Sequence, residues 1–223
     1  MEEKDNVVAE KKHAREEKHE ANPDVKETQD IKLFGKYDFN VELKDPGLAR
    51  VISIKPVLMP KSGGKTSQQR LARGKVNIVE RLITHLMVPG HKGKKHLRSS
   101  KLASGRFYTA FTVVDESFDR IQKEGKSPIQ VLIKAVENSA PKEEVMSLLI
   151  SGQRIAKQVD TSPMRRLDLA LRWIAQGTFQ LSFSGKKASD ALHDILIGAA
   201  NNQDSVFPIS KKIDTERQAD SSR

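Results

Sequence analysis

Lys75-Val76-Asn77-Ile78-Val79-Glu80-Arg81-Leu82-Ile83-Thr84-His85-Leu86-Met87 is the stretch whose reading decides the fold. Val79, Leu82, Ile83, Leu86 and Met87 recur at i, i+3, i+4, i+7 and i+8. That spacing puts them on one side of a helix and requires a core to cover them. It predicts a helix from about Gly74 to Met87, ended by Pro89-Gly90. The same stretch lies in the most basic part of the chain. Arg50–Arg106 holds fourteen Lys or Arg and one acid, Glu80, for a balance of +13, whereas the whole chain of 223 residues carries +10. Cations this concentrated repel one another in isolation and make physical sense against a polyanion, from which they release counterions.

Downstream, the helical period continues. Phe107, Phe111, Val114, Phe118 and Ile121 step by four and three along a second helix closed by Gly125. Their single direction assigns the rings to the core, not to base stacking. Asp115, Glu116 and Asp119 are placed on the outer, solvated face, directed away from the polyanion. Ser127-Pro128 opens a third helix with Ile129, Leu132, Ile133 and Val136 inward, ended by Asn138–Pro141. Glu144–Ile150 and Gln153–Val159 flank Ser151-Gly152, a hairpin signal. Ser162-Pro163 opens a further helix through Leu167, Ala170, Leu171 and Ile174, predicted to end at Gly177, with Trp173 packed on a neighbour. Another helix is expected from about Lys186 to Ala200. Beyond it lies a polar tail in which Ile209–Arg217 forms a short helix with Lys211 and Lys212 exposed.

Upstream, Ile31–Leu43 alternates apolar residues, as a short strand or an extended segment on a core does. Asp45-Pro46-Gly47 is a turn signal. Val51–Met59 carries Pro56 and is closed by Pro60, which favours extended backbone. Met1–Asp30 has ten acids and six bases with few apolar residues, and reads as a disordered or loosely helical arm whose role is either solubility or masking of the basic region. The fold class expected is mainly α: a helical bundle of about five to six helices with a protruding β-hairpin and an extended basic N-terminal arm. The domain division expected is a charged arm at 1–30, one helical domain at 31–204 with its hairpin at about 144–160, and a polar C-terminal tail at 205–223.

Several chemistries are excluded. The chain has no cysteine, hence no disulfide or thiolate zinc site. Ser62-Gly63-Gly64-Lys65-Thr66 lacks the earlier glycine of a phosphate loop, whose position holds Met59. Gly90-His91-Lys92-Gly93 has the spacing of the KH clamp, but a long polar loop follows in place of a helix. His85, His91 and His96 have cations and no carboxylate beside them in the sequence, which disfavours a metal. Asp115, Glu116 and Asp119 have no His or phosphate loop near them in the sequence. No catalytic residue, cofactor or metal is expected. No run reaches the roughly 20 apolar residues of a membrane span, so no membrane partner is expected and the protein is read as soluble and intracellular. The anion-binding candidates are Lys55, Lys61, Lys65, Arg70, Arg73 and Lys75 on the arm and helix entry. Lys92, Lys94, Lys95, Arg98, Lys101 and Arg106 follow in the loop, Arg154 and Lys157 on the hairpin, and Arg165, Arg166 and Arg172 on the later helix.

Three ordered blocks carry a resemblance. They run from Lys75 to Gly90, from Pro128 to Pro141 (Pro-Ile-Gln-Val-Leu-Ile-Lys-Ala-Val-Glu-Asn-Ser-Ala-Pro), and from Val159 to Ile174 (with Asp160-Thr161-Ser162-Pro163-Met164-Arg165-Arg166-Leu167-Asp168 at its start). With Ile31–Lys36 before them and Lys211-Lys212 behind, the chain resembles the universal small-subunit ribosomal protein number seven family, in its archaeal and eukaryotic branch. The resemblance implies a helical bundle with a β-ribbon, acting as a structural component of the small ribosomal subunit. It implies a primary binder of the rRNA head (3′ major) domain that nucleates head assembly. It implies neighbouring small-subunit ribosomal proteins as partners, and a ribbon, here Glu143 to Asp160, near the exit-site tRNA and mRNA path. One departure stands out: Met146–Gly152 is more apolar than the family's basic ribbon, which favours a protein neighbour or burial against the bundle over RNA contact at the tip. The alternative reading is an extra-ribosomal RNA-binding regulator.

Overall fold

Asn77 decides where the first long helix begins. In the computed structural model, which describes residues 31–64, 71–88 and 105–222, Asn77 Oδ1 accepts a hydrogen bond from the Val79 N–H at 2.9 Å. Helix α2 therefore spans Ile78–Leu86, later than the predicted start at Gly74, because Ala72–Lys75 is wound as a separate 3₁₀ turn. Before it, α1 is the single turn Pro46–Ala49, capped by Asp45. The expected turn at Asp45-Pro46-Gly47 is thus a helix start, in which Asp45 Oδ1 accepts from the Gly47 N–H at 2.8 Å.

The remaining helices are α3 Phe107–Lys123, α4 Pro128–Ser139, α5 Pro163–Phe183, α6 Ala188–Ala200 and α7 Phe207–Asp220. Helix α6 packs against α3, α4, α5 and α7. Its Ala191, Leu192, Ile195, Leu196 and Ala199 are buried, in one core with Val114, Phe118 and Ile121 of α3, Leu132 and Val136 of α4, and Leu167, Leu171 and Ile174 of α5. Asn138 fastens the end of α6. Its Nδ2 donates to Ala199 O at 2.9 Å and to Ala200 O at 3.0 Å, two carbonyls of the helix's last turn.

Two predicted boundaries are corrected by packing. Gly177 does not end α5 but lies inside it. A Cβ there would stand 3.0 Å from Ile195 Cδ1, so the glycine serves close approach to α6. The short helix expected at Ile209–Arg217 is the longer α7, with Pro208, Ile209 and Ala219 buried. Lys211 and Lys212 are half-buried there: Lys211 pairs with Asp214 at 2.9 Å, and Lys212 donates to Asn138 O at 3.0 Å.

The segment before α1 lies on the core without forming a strand. Leu33 and Tyr37 are buried and close a tight turn, with Leu33 N donating to Tyr37 O at 2.8 Å. Phe34 meets Phe111 edge-on at 4.7 Å between centroids. Tyr37 donates its hydroxyl to Asp119 at 2.6 Å, and Lys36 bridges Asp115 and Asp119. Glu116 pairs with Lys187 at 2.8 Å. The α3 acids are therefore docking points for other segments and not a merely solvated face.

Strands β1 Glu143–Ile150 and β2 Gln153–Asp160 form an antiparallel pair. Ser151 and Gly152 both have positive φ (50° and 82°), as a two-residue type I′ hairpin turn requires. Strand β1 packs against α7. The apolar residues toward the tip are not buried against the bundle: Met146, Leu149, Ile150 and Ile155 are all exposed, Leu149 by 70%. Among the described residues, no helix is long and apolar enough to cross a membrane.

Candidate nucleic-acid interface

The extended run after α1 is held edge-on to the start of α2. Ser53 and Asn77 form a parallel bridge, the Ile78 N–H donates to Ser53 O at 3.1 Å, and Asn77 Nδ2 donates to Lys55 O at 2.9 Å. Gly74 in the 3₁₀ turn stands beside the same run, with Val51 O at ordinary van der Waals distance (3.8 Å) from where a Cβ would be. The result is an open groove of about 510 Å³ lined, among the described residues, by Arg50, Ile52, Ser53, Ile54, Lys55, Pro56, Gly74 and Lys75, three cations and no acid.

The one acid of this basic stretch is turned inward. Glu80 is 8% exposed, and its Oε1 accepts from the Ser62 N–H at 2.7 Å and the Ser62 hydroxyl at 2.6 Å. The carboxylate thus fixes the Ser62-Gly63-Gly64 turn through its two hydrogen bonds with Ser62. Next to that turn, Lys61 Nζ lies 4.9 Å from the Tyr108 ring centroid and 5.3 Å from that of Phe107. Tyr108 is 63% exposed, so the pair forms a small cationic and aromatic shelf. Arg106 is exposed at the N-terminus of α3, an end without a side-chain cap where anions are favoured.

A second cluster stands where α2 meets α5. Asp168 accepts from Arg81 Nη2 at 2.7 Å and lies 3.7 Å from His85 Nε2 and 3.8 Å from Arg73 Nη1. Burial acts to raise the Asp168 pKa, but His85 and Arg81 outweigh it and hold the carboxyl at about 2. Arg172, exposed, follows one helical turn after Asp168 on the same face.

The expected contact residues divide into three groups. Lys65, Arg70, Lys92, Lys94, Lys95, Arg98 and Lys101 lie outside the described residues, as do His91, His96, the Gly90–Gly93 spacing and the 1–30 arm. Lys55, Lys61, Arg73, Lys75, Arg106, Arg154, Lys157 and Arg172 are exposed. Arg165 is exposed but paired with Glu144 of β1. Arg166 is the correction: it is buried, donates from Nη2 to Asp45 at 2.7 Å and from Nε to Pro141 O at 3.2 Å, and so ties α1 and the end of α4 to α5. Its partner Asp45 is 121 residues away in sequence, so spacing gave no sign of the pair. Sequence reasoning also passed over Arg50 and Tyr108. The only available signal for Arg50 was its place at the head of the basic stretch.

Comparison with known proteins gives a family and relatives. The family described as Ribosomal protein S7p/S5e matches residues 48–223. The chain is similar to the small ribosomal subunit protein uS7 of Nanoarchaeum equitans, 40% identical over 198 residues that cover 86% of this chain and 99% of the relative. It is similar also to the small ribosomal subunit protein uS7 of Archaeoglobus fulgidus, 40% identical over 199 residues, covering 87% and 96%.

Proposed function

Because the chain belongs to the Ribosomal protein S7p/S5e family, we propose that it is a structural component of the small ribosomal subunit, binding and organising the head domain of small-subunit rRNA. The observation that carries the reading is the inward turn of Glu80, which leaves the Arg50–Arg106 stretch electrostatically open to phosphate. Lys55, Lys61, Arg73, Lys75 and Arg106 neutralise backbone phosphates on one side, and Arg172 adds a contact from a rigid helix. Base-edge readout is secondary, because A-form grooves are recognised mainly through shape, backbone and 2′-hydroxyls. The protein positions RNA and carries out no reaction of its own. It acts in the cytoplasmic ribosome beside other small-subunit proteins. The β1–β2 ribbon faces the exit-site tRNA and mRNA path, and Arg154 and Lys157 supply its charge.

Filter binding of the full chain to head-domain rRNA over a salt series tests this. The expected result is a linear fall of log affinity with log salt, and affinity for double-stranded DNA well below that for the rRNA. A flat salt response, or equal affinity for the DNA, would count against it.

A further inference from the structure

We infer that the groove between residues 50–56 and Gly74-Lys75 receives one unstacked nucleotide of the bound RNA; this rests on the rRNA-binding reading above. A surface that only tracked a phosphate ridge would need cations and nothing else. This groove sets Arg50, Lys55 and Lys75 around an aliphatic wall of Ile54 and the exposed Pro56, with Ile52 buried beneath. Apolar walls gain nothing from a solvated duplex backbone but take the face of a base, while the cations take its phosphate. At about 510 Å³ the space lies within the roughly 300–1,000 Å³ of small-ligand clefts. The wall is also fixed in advance. Its backbone is bonded to the α2 cap through Ser53 O and Lys55 O, so little ordering is left for binding. Ser53 adds a polar group to the lining: its hydroxyl is buried with no hydrogen-bond partner among the described residues.

The test separates groove filling from charge. In P56W the groove is blocked and every cation is kept; in R50Q/K55Q/K75Q the shape is kept and three charges are lost. Both are assayed as full chains by filter binding to head-domain rRNA over salt, with base modification by dimethyl sulfate and carbodiimide. The triple variant should lower the salt slope by about 2–3. P56W should keep the slope, weaken binding several-fold, and leave one further base reactive. Independently of variant folding, ultraviolet crosslinking of the wild-type complex should place an adduct within residues 50–56. Wild-type affinity and an unchanged footprint for a folded P56W, or crosslinks only elsewhere, would overturn the inference while leaving RNA binding intact. Absence of rRNA binding by the wild type would overturn the reading beneath it.

Discussion

Arg166 and Arg172 stand on one helix and were equal candidates by sequence, yet they do different things. Arg166 is buried between Asp45 and the Pro141 carbonyl, whereas Arg172 is exposed. Arg166→Ala should cost about 2–4 kcal/mol of stability, because Asp45 is left without its partner. Arg172→Ala should change stability by less than about 0.5 kcal/mol and lower the rRNA salt slope by about one. Urea denaturation and filter binding on both variants check the pair. Periodicity could not separate them, since it reports the face of a residue and not a partner far along the chain. Asp168 extends the point to pH. Its folded pKa of about 2 lies below the ordinary 3.8. Its contribution is therefore complete above the ordinary value and is lost as pH falls through about 2. After allowance for solvent screening that contribution is about 1–2 kcal/mol. Asp168→Asn should then destabilise the protein by about 2 kcal/mol at pH 7, where Arg81 is left buried without a carboxylate, and by clearly less near pH 2. Denaturation midpoints at the two pH values check this.

At the scale of elements, interior positions were legible and ends were not. The apolar spacing found core residues of α2, α3 and α4, because a helix face turned to a core repeats with a period near 3.6; it missed that α2 and α4 are covered more widely, with Glu80, Arg81, Val131 and Ala135 also buried. The ends depend on contacts made later in the chain. Gly177 carries the usual mark of a helix end, but α5 runs on to Phe183, since that glycine is needed by Ile195 of α6. The last helix was only partly visible: α7 buries few side chains, and its packing against β1 and α5 is a tertiary fact. Gly198 shows the same logic at the α6–α7 junction. A Cβ there would fall 2.5 Å from Val206 Cγ2, a stiff β-branched side chain. Gly198→Ala should therefore destabilise by about 1–3 kcal/mol through overpacking, although alanine is favoured over glycine in a helix by about 1 kcal/mol. A gain in melting temperature would contradict this account. At the hairpin the opposite holds. Leu149 and Ile150 are exposed, so replacing both with Ser should shift stability by less than about 0.5 kcal/mol per residue in thermal melts.

Across the whole molecule, charge is sorted by function. Acids of α3 and α6 are paired with Lys36, Lys187, Arg120 and Lys186 at the surface of the bundle. The Arg50–Arg106 stretch has one acid, and that acid is spent inside. The charge excess itself was legible in the sequence, as was RNA binding in general. The groove was not, because it joins residues 50–56 to 74–75 through the Asn77 cap. Glu80 is the place where field and geometry can be told apart. If the carboxylate acted mainly as a negative charge in a basic field, Glu80→Gln would raise the local balance and tighten RNA binding. The geometry argues otherwise. The carboxylate is buried, accepts two short hydrogen bonds from Ser62, and thereby sets the turn beside Lys61 and Tyr108. A neutral amide replaces those charge-assisted bonds with bonds roughly half as strong, and Glu80→Ala removes them. Glu80→Gln should thus weaken rRNA binding several-fold with little change in salt slope, and Glu80→Ala should weaken it further, since both loosen the position of cations without removing any. Filter binding over a salt series checks both variants, and a tighter complex for Glu80→Gln would mean that the sum of charges governs this surface and not its placement.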